Sequence, residues 1–246
     1  MKILVCISHV PDTTSKISFK ENDTKFDTTG VQFIIGPYDD YSLARAVELK
    51  EANPGTTVTV LNVGLAETEP TIRKALAIGA DDAVRVNAEP VDSVFVATQI
   101  AAYAKSEQFD LILMGRESID YNSGVVHGLV GEMLGIPSVS PVMKLDLQGT
   151  TASIAREIEG GKEFAEVNLP FVAGCQEPIA EWKIPNMRGI MSARTKPLKV
   201  IEPVSVDSGV KLQKFELPPP KGAVKMIPAD NVAELVNLLK NEAKVL

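Results

Sequence analysis

Leu111-Ile112-Leu113-Met114-Gly115-Arg116-Glu117-Ser118-Ile119-Asp120-Tyr121-Asn122-Ser123-Gly124 passes from four consecutive apolar residues into a polar turn bounded by glycines, and an apolar helical segment follows it. A short run that is apolar on both faces suits a strand buried within a parallel sheet. Upstream, residues 2–8 form a near-continuous apolar strand, and residues 57–63 and 83–86 read as further strands of the core. Helical patterns lie between them. Pro37 opens one in which Leu43, Ala46 and Val47 share a face, and Asn53-Pro54-Gly55 closes it. Ile72, Ala75, Leu76 and Gly79 mark a second, and Val94, Ala97 and Ala101 a third. Strands alternating with helices imply a mostly parallel sheet. Right-handed crossovers that cover both of its faces give a doubly wound α/β fold, whose ligands sit at the carboxyl ends of the strands.

Other segments depart from this alternation. Residues 16–20 and 30–35 alternate in polarity around polar turn residues and read as a hairpin. After Gly135-Ile136-Pro137, residues 151–158 and 163–168 flank the turn Glu159-Gly160-Gly161 and read as an antiparallel pair on the sheet edge, and residues 169–174 as a return to the core. From 176 to 228 the chain is rich in proline, including Leu217-Pro218-Pro219-Pro220, and too long for an ordinary internal loop. A last amphipathic helix sets Val232, Leu235, Val236, Leu239, Ala243 and Leu246 on one stripe. The expected division is a domain over 1–198 and an arm over 199–246. By its own pattern the arm either folds back on the domain or wraps another chain.

Bulk properties remove whole classes of function. A net charge of −7 argues against a nucleic-acid binder, which presents a basic face to phosphates. Cys6 and Cys175 stand alone, without the spacing of a zinc site or a disulfide framework, and fit a reducing compartment. No run approaches the roughly 18 apolar residues of a membrane span. The first residues read as a buried strand and not as a secretory leader. The expectation is a soluble, cytoplasmic chain with no membrane insertion.

The strand-to-helix turn 115–124 occupies the position where open sheets bind ligands. Its glycines permit tight turns, and the helix that follows offers unpaired N–H groups to a phosphate. A nucleotide is the candidate ligand; the competing account is a plain helix cap by Asp120, Asn122 or Ser123. His9 and His127 lack the neighbours of a catalytic base and read as polar contacts. Glu157, Glu159 and Glu163, in a strand-turn-strand segment, read as a solvated face. No catalytic residue is expected and no metal site.

Seven segments in order carry a resemblance that spans nearly the whole chain: KILVCISHVPD at 2–12, residues 37–50, ALAIGAD at 75–81, GRESID at 115–120, REIEGG at 156–161, IPNMRGIMSARTKP at 184–197, and LPPP at 217–220 with the closing EAKVL. Together they resemble the beta subunit of electron transfer flavoproteins. The resemblance implies an adenine nucleotide alpha hydrolase-like fold and a heterodimer. The alpha subunit would hold most of the redox-active FAD, and the beta subunit a structural AMP, or a second FAD in electron-bifurcating members. It also implies electron carriage from flavin dehydrogenases, such as acyl-CoA dehydrogenases, to a quinone oxidoreductase, without enzymatic activity of its own.

Carried over residue by residue, the nucleotide contacts would be Cys6, the turn Gly36, Pro37, Tyr38 and Asp39, Val63, and the loop Gly115, Arg116, Glu117, Ser118, Ile119, Asp120, Tyr121, Asn122, Ser123, Gly124, Val125 and Val126. Ile184, Pro185, Asn186 and Met187 fall on the family's partner-recognition loop, with Ile184 as its apolar anchor; the alternative is an Ile184 buried beside Trp182. Glu163 matches a carboxylate that controls domain position. The sequence departs from the family at Gly36, where asparagine is usual, at Val125-Val126-His127, where a Gln-Thr/Val-Gly grip is usual, and at Thr13, where some members carry tyrosine. Two other adenine-nucleotide classes compete. A regulator resembling universal stress proteins would lack the long proline-rich arm. An ATP-dependent ligase or sulfurtransferase would need a pyrophosphate-gripping loop that Ser8-His9-Val10-Pro11-Asp12 does not provide.

Overall fold

The computed structural model describes residues 1–207 and 209–246. The strands are β1 (Lys2–Cys6), β2 (His9–Pro11), β3 (Phe19–Lys20), β4 (Lys25–Phe26), β5 (Phe33–Ile35), β6 (Thr57–Val63), β7 (Asp82–Val86), β8 (Leu111–Gly115), β9 (Ser138–Gln148), β10 (Thr151–Ile158), β11 (Gly161–Asn168), β12 (Phe171–Cys175) and β13 (Leu198–Ile201). The helices are α1 (Pro37–Ala52), α2 (Glu69–Ile78), α3 (Ser93–Glu107), α4 (Val126–Leu134), α5 (Met187–Ala193) and α6 (Val232–Asn241).

Nine strands form one sheet in the order β11-β10-β9-β12-β8-β1-β6-β7-β13. Every pairing from β9 to β13 along it is parallel, while β10 runs antiparallel to both β9 and β11. The fold is therefore the doubly wound α/β one expected. Alternation along the strands sorts the core into two layers. On one face Ile3, Val5, Val58, Val60 and Leu111 pack with Leu43 and Val47 of α1 and Ile72 and Leu76 of α2. On the other, Leu4, Leu61, Val63 and Ile112 pack with Ala97 and Ile100 of α3 and Val130 of α4. The strand order reverses between β1 and β8: after β1 the chain proceeds outward through β6 and β7, and after α3 it returns to the opposite side of β1. A crevice at the carboxyl ends follows from that reversal.

Two expectations are corrected. Residues 16–20 and 30–35 do not pair with each other. β5 pairs with β2, and β3 pairs with β4, because the local alternation recorded strand character and not its partner. The stretch from 176 holds α5 and β13, too short to leave a period in the sequence. β13 begins at residue 198 and pairs with β7 along its length.

The chain divides into two compact units, one of residues 1–18 and 27–212, the other of residues 19–26 and 213–246. In the second, the Phe215 amide donates to the Asp23 carbonyl at 2.7 Å and the Phe19 and Phe215 rings stack at 4.9 Å. The hairpin of β3 and β4 thus belongs with the arm. α6 is capped by Asn231, whose side chain accepts from the Glu234 amide, and none of its residues is buried. It ends at Asn241, so Ala243 and Leu246 lie beyond the helix that the apolar stripe predicted.

Candidate functional site

α1 begins directly at the crevice. Pro37 supplies a preset φ at the first turn and Gly36 precedes it. This places the Asp39 carboxylate between two strand ends. It accepts from the Ser8 amide at 2.8 Å and the Ser8 hydroxyl at 2.5 Å on one oxygen, and from the Gly115 amide at 2.8 Å on the other. A single buried side chain therefore ties the end of β1 to the end of β8 across the switch point. Burial pushes its carboxyl pKa up to about 6, and the bonds from Ser8 and Gly115 pull the other way. A Cβ on Gly115 would lie 2.6 Å from Asp39 Oδ1 and 2.7 Å from Tyr38 Cβ. Glycine is required there by the approach of α1.

Arg116 follows. Its guanidinium lies 4.8 Å over the Tyr38 ring, Nη1 donates to Gln176 Oε1 at 2.8 Å, and Nη2 donates to Glu117 Oε1 at 3.2 Å. Beyond it, Ser118 bridges Ser123 and closes the loop on itself, with Asn122 at φ 50 turning the chain. The Ser123 hydroxyl meets that of Ser93 at the start of α3. Tyr121 and Val125 are exposed. α4 starts at Val126 after Val125, and no side chain caps it. The cap expected from Asp120, Asn122 or Ser123 is therefore not formed. The first-turn N–H groups of α4 remain open as donors, which is the condition for holding a phosphate.

Cys6 and Val63 are both buried on the α3–α4 face, at the carboxyl ends of β1 and β6. Burial holds both thiols in the neutral form, the Cys6 pKa far above its ordinary value and that of Cys175 pushed up to about 12. The structure brings Cys6, Val63, the 36–39 turn and the 115–126 loop to one end of the sheet. It does not bring Ile184 or Glu163 into that group. Glu163, on β11, is paired with Arg156 of β10. Ile184 is 74% exposed and Trp182 is exposed beside it, so burial of Ile184 is overturned. Met187, Ile190 and Met191 of α5 are exposed as well. α5 is capped by Asn186, whose side chain accepts from the Gly189 amide at 2.8 Å, and Gly189 lies against the Ala77 carbonyl of α2 with no room for a Cβ.

Both histidines are polar contacts. His9 Nδ1 is 2.8 Å from Thr71 Oγ1, with its ring stacked on Phe33 at 4.3 Å, and His127 Nδ1 is 3.4 Å from the Ser138 hydroxyl. Burial lowers both imidazole pKa values. A groove of ≈ 400 Å³ lies away from the crevice, lined by Arg45, Lys144, Lys162, Phe164 and Ile179 among others, and none of the expected nucleotide contacts lines it. Sequence reasoning missed Ser8 and Gln176. Ser8 lies within the 2–12 segment but carries no role there, Gln176 lies in no quoted segment, and their partners lie 31 and 60 residues away.

The chain matches the family model described as electron transfer flavoprotein domain over residues 23–206. It is similar to the electron transfer flavoprotein subunit beta of Bacillus subtilis, at 37% identity over 100% of both chains. It is also similar to that of Syntrophomonas wolfei, at 34% over 100% of this chain and 98% of the relative, and to that of Homo sapiens, at 29% over 100% and 99%. Full-length similarity to proteins of one name, on a doubly wound sheet, settles the classification: this chain belongs to the electron transfer flavoprotein family, among its beta subunits.

Proposed function

We propose that the crevice at the switch point holds AMP, and that the chain serves as the nucleotide-bearing half of a heterodimer whose alpha subunit carries the redox-active FAD. One observation carries this reading: the uncapped start of α4 faces a strand-to-helix loop at the reversal of strand order, so main-chain donors are open where a nucleotide phosphate docks. Main-chain donation also removes the need for the Gln-Thr/Val-Gly side chains that Val125-Val126-His127 replaces. Gly36 to Asp39, Cys6 and Val63 would line the remaining wall, and Arg116 would add positive charge beside the loop. AMP supplies no redox chemistry; it fills the crevice and fixes the loops around it.

The exposed Ile184, Asn186 and Met187, with Pro185 half-buried between them, support a recognition loop for flavin dehydrogenases, with Ile184 as an apolar anchor on a turn braced by α2. Glu163 would act through its charge on the position of a neighbouring domain, and the arm with α6 would cover part of the alpha subunit. Electrons would pass from dehydrogenases such as those of acyl-CoA to a quinone oxidoreductase, in the cytoplasm. The test is composition. The chain is produced with its alpha subunit, the complex is purified, and FAD and AMP are released and counted. One of each per heterodimer supports the reading; two FAD would replace AMP by a second flavin and make the protein a bifurcating type; no adenine nucleotide in the beta chain would remove the crevice assignment.

A further inference from the structure

The hairpin of β10 and β11 is held to the sheet body unevenly. β10 pairs with β9 as far as Arg156 opposite Val142, with a register shift between Ala155 and Arg156. Past that point Glu157 and Ile158 pair only with Lys162 and Gly161 of their own hairpin. The tip thus projects beyond the last strand that would brace it, and Ile158 is exposed on it.

One side chain reaches back to it. Gln176, buried at the end of β12, donates from Nε2 to Glu157 Oε2 at 2.6 Å and accepts on Oε1 from Arg116 Nη1 at 2.8 Å. Its main chain is fixed as well, with its amide donating to the Val142 carbonyl at 2.9 Å. Arg116 is the second residue of the nucleotide loop, anchored by its own amide to the Cys175 carbonyl at 2.9 Å. Arg116 Nε is buried without a hydrogen-bond partner, so the guanidinium is held by few contacts, of which Gln176 is one. An amide with one donor edge and one acceptor edge can satisfy a cation and a carboxylate at once only in this orientation. Both of its bonds involve a charged partner, the stronger kind.

We propose that Gln176 is a positioning residue that couples the nucleotide loop to the tip of the β10–β11 hairpin, so that filling the crevice steadies the tip. The inference rests on the crevice being the nucleotide site. Ordering Arg116 on its loop fixes the Gln176 amide, and the fixed amide holds Glu157. The coupling is reciprocal: whatever holds the tip raises nucleotide affinity by the same factor by which the nucleotide steadies the tip.

The test is hydrogen exchange on the heterodimer with its alpha subunit, at residues 115–126 and 157–162, with and without added AMP. Glu157→Ala removes the exposed end of the relay, and Gln176→Leu its buried centre. In the unaltered protein AMP slows exchange at both segments, the tip by about fivefold, the scale of one net hydrogen bond. In Glu157→Ala the loop stays protected and the tip does not respond. Exchanging the two groups, Gln176→Glu with Glu157→Gln, restores a donor opposite an acceptor and brings the tip's response back, which a merely destabilised hairpin would not do. Protection of the tip that survives Glu157→Ala, or a protected loop with an unresponsive tip in the unaltered protein, overturns the coupling. Absence of protection at 115–126 overturns the crevice assignment beneath it.

Discussion

The parallel sheet and the arm carry apolar residues for opposite ends. In the sheet, Leu111, Ile112, Leu113 and Phe171 are fully or almost fully buried between layers of helices. In the arm, Leu217, Val224, Met226, Val232 and Val236 are all exposed, and α6 buries nothing although its apolar face is continuous. The sheet satisfies its hydrophobic pattern within the chain. The arm does not, and an apolar helix face left open in a monomer is a surface awaiting cover. The difference separates a body that buries its own apolar residues from a segment that leaves its own exposed.

Substitutions can break that contrast. Phe171→Ala should cost about 3–5 kcal/mol of stability in urea unfolding, because a buried ring is replaced by a cavity in the sheet centre; a loss below about 1 kcal/mol would mean that the core is not packed as described. Asp39→Asn comes next. The amide keeps one acceptor but turns an N–H₂ toward the Ser8 or Gly115 donors, so a loss of about 1–3 kcal/mol is expected, with loosening of the 115–126 loop by hydrogen exchange.

A smaller effect follows from pH. Burial raises the carboxyl pKa of Asp40 from 3.8 to about 6, with Lys74 pulling it down, and that of Asp39 is also near 6. The folded chain therefore binds these protons more tightly than the unfolded one. Their contribution to stability is fully present below about pH 4 and is lost as pH rises through 6. Asp40→Asn should flatten the part of the stability profile between pH 5 and 7.5 that this group supplies; an unchanged difference between those two pH values would exclude it. At the low end, Leu235→Ala in α6 should shift the unfolding of the chain alone by no more than about 0.5 kcal/mol, yet weaken its association with the alpha subunit. Equal effects with and without the partner would place the helix on the sheet's side of the contrast.

What the sequence discloses follows the same division. Strands β1 and β8 are near-continuous apolar runs because both of their faces are covered, β6 and β7 keep enough valine and leucine around Thr59, Asn62 and Arg85 to read as core strands, and helices α1 to α3 lie between them, so the doubly wound order can be read directly. The 115–126 loop is legible as a strand-to-helix turn between a buried strand and an apolar helix. β13 is not, because an edge strand of four residues with Lys199 and Val200 exposed has no run to display. The pairing of β3 with β4 was hidden for a related reason, since alternation does not name a partner. Asp39 was legible as a member of the 36–39 turn but not as a clasp, because its donors come from Ser8 and Gly115, and Gln176 owes its position to Arg116 and Glu157. Side chains whose meaning lies in long-range hydrogen bonds leave no local pattern.

The open face of α6 also bears on supply. With the arm docked on the alpha subunit as proposed, each newly made chain would display Met226, Val232 and Val236 until that partner arrived, and exposed terminal segments are where proteases cut first. A surplus of this chain over its partner should then be short-lived, its excess copies trimmed from the arm inward. The amount of the assembled carrier would be set by whichever subunit is scarcer, with the arm acting as the gauge.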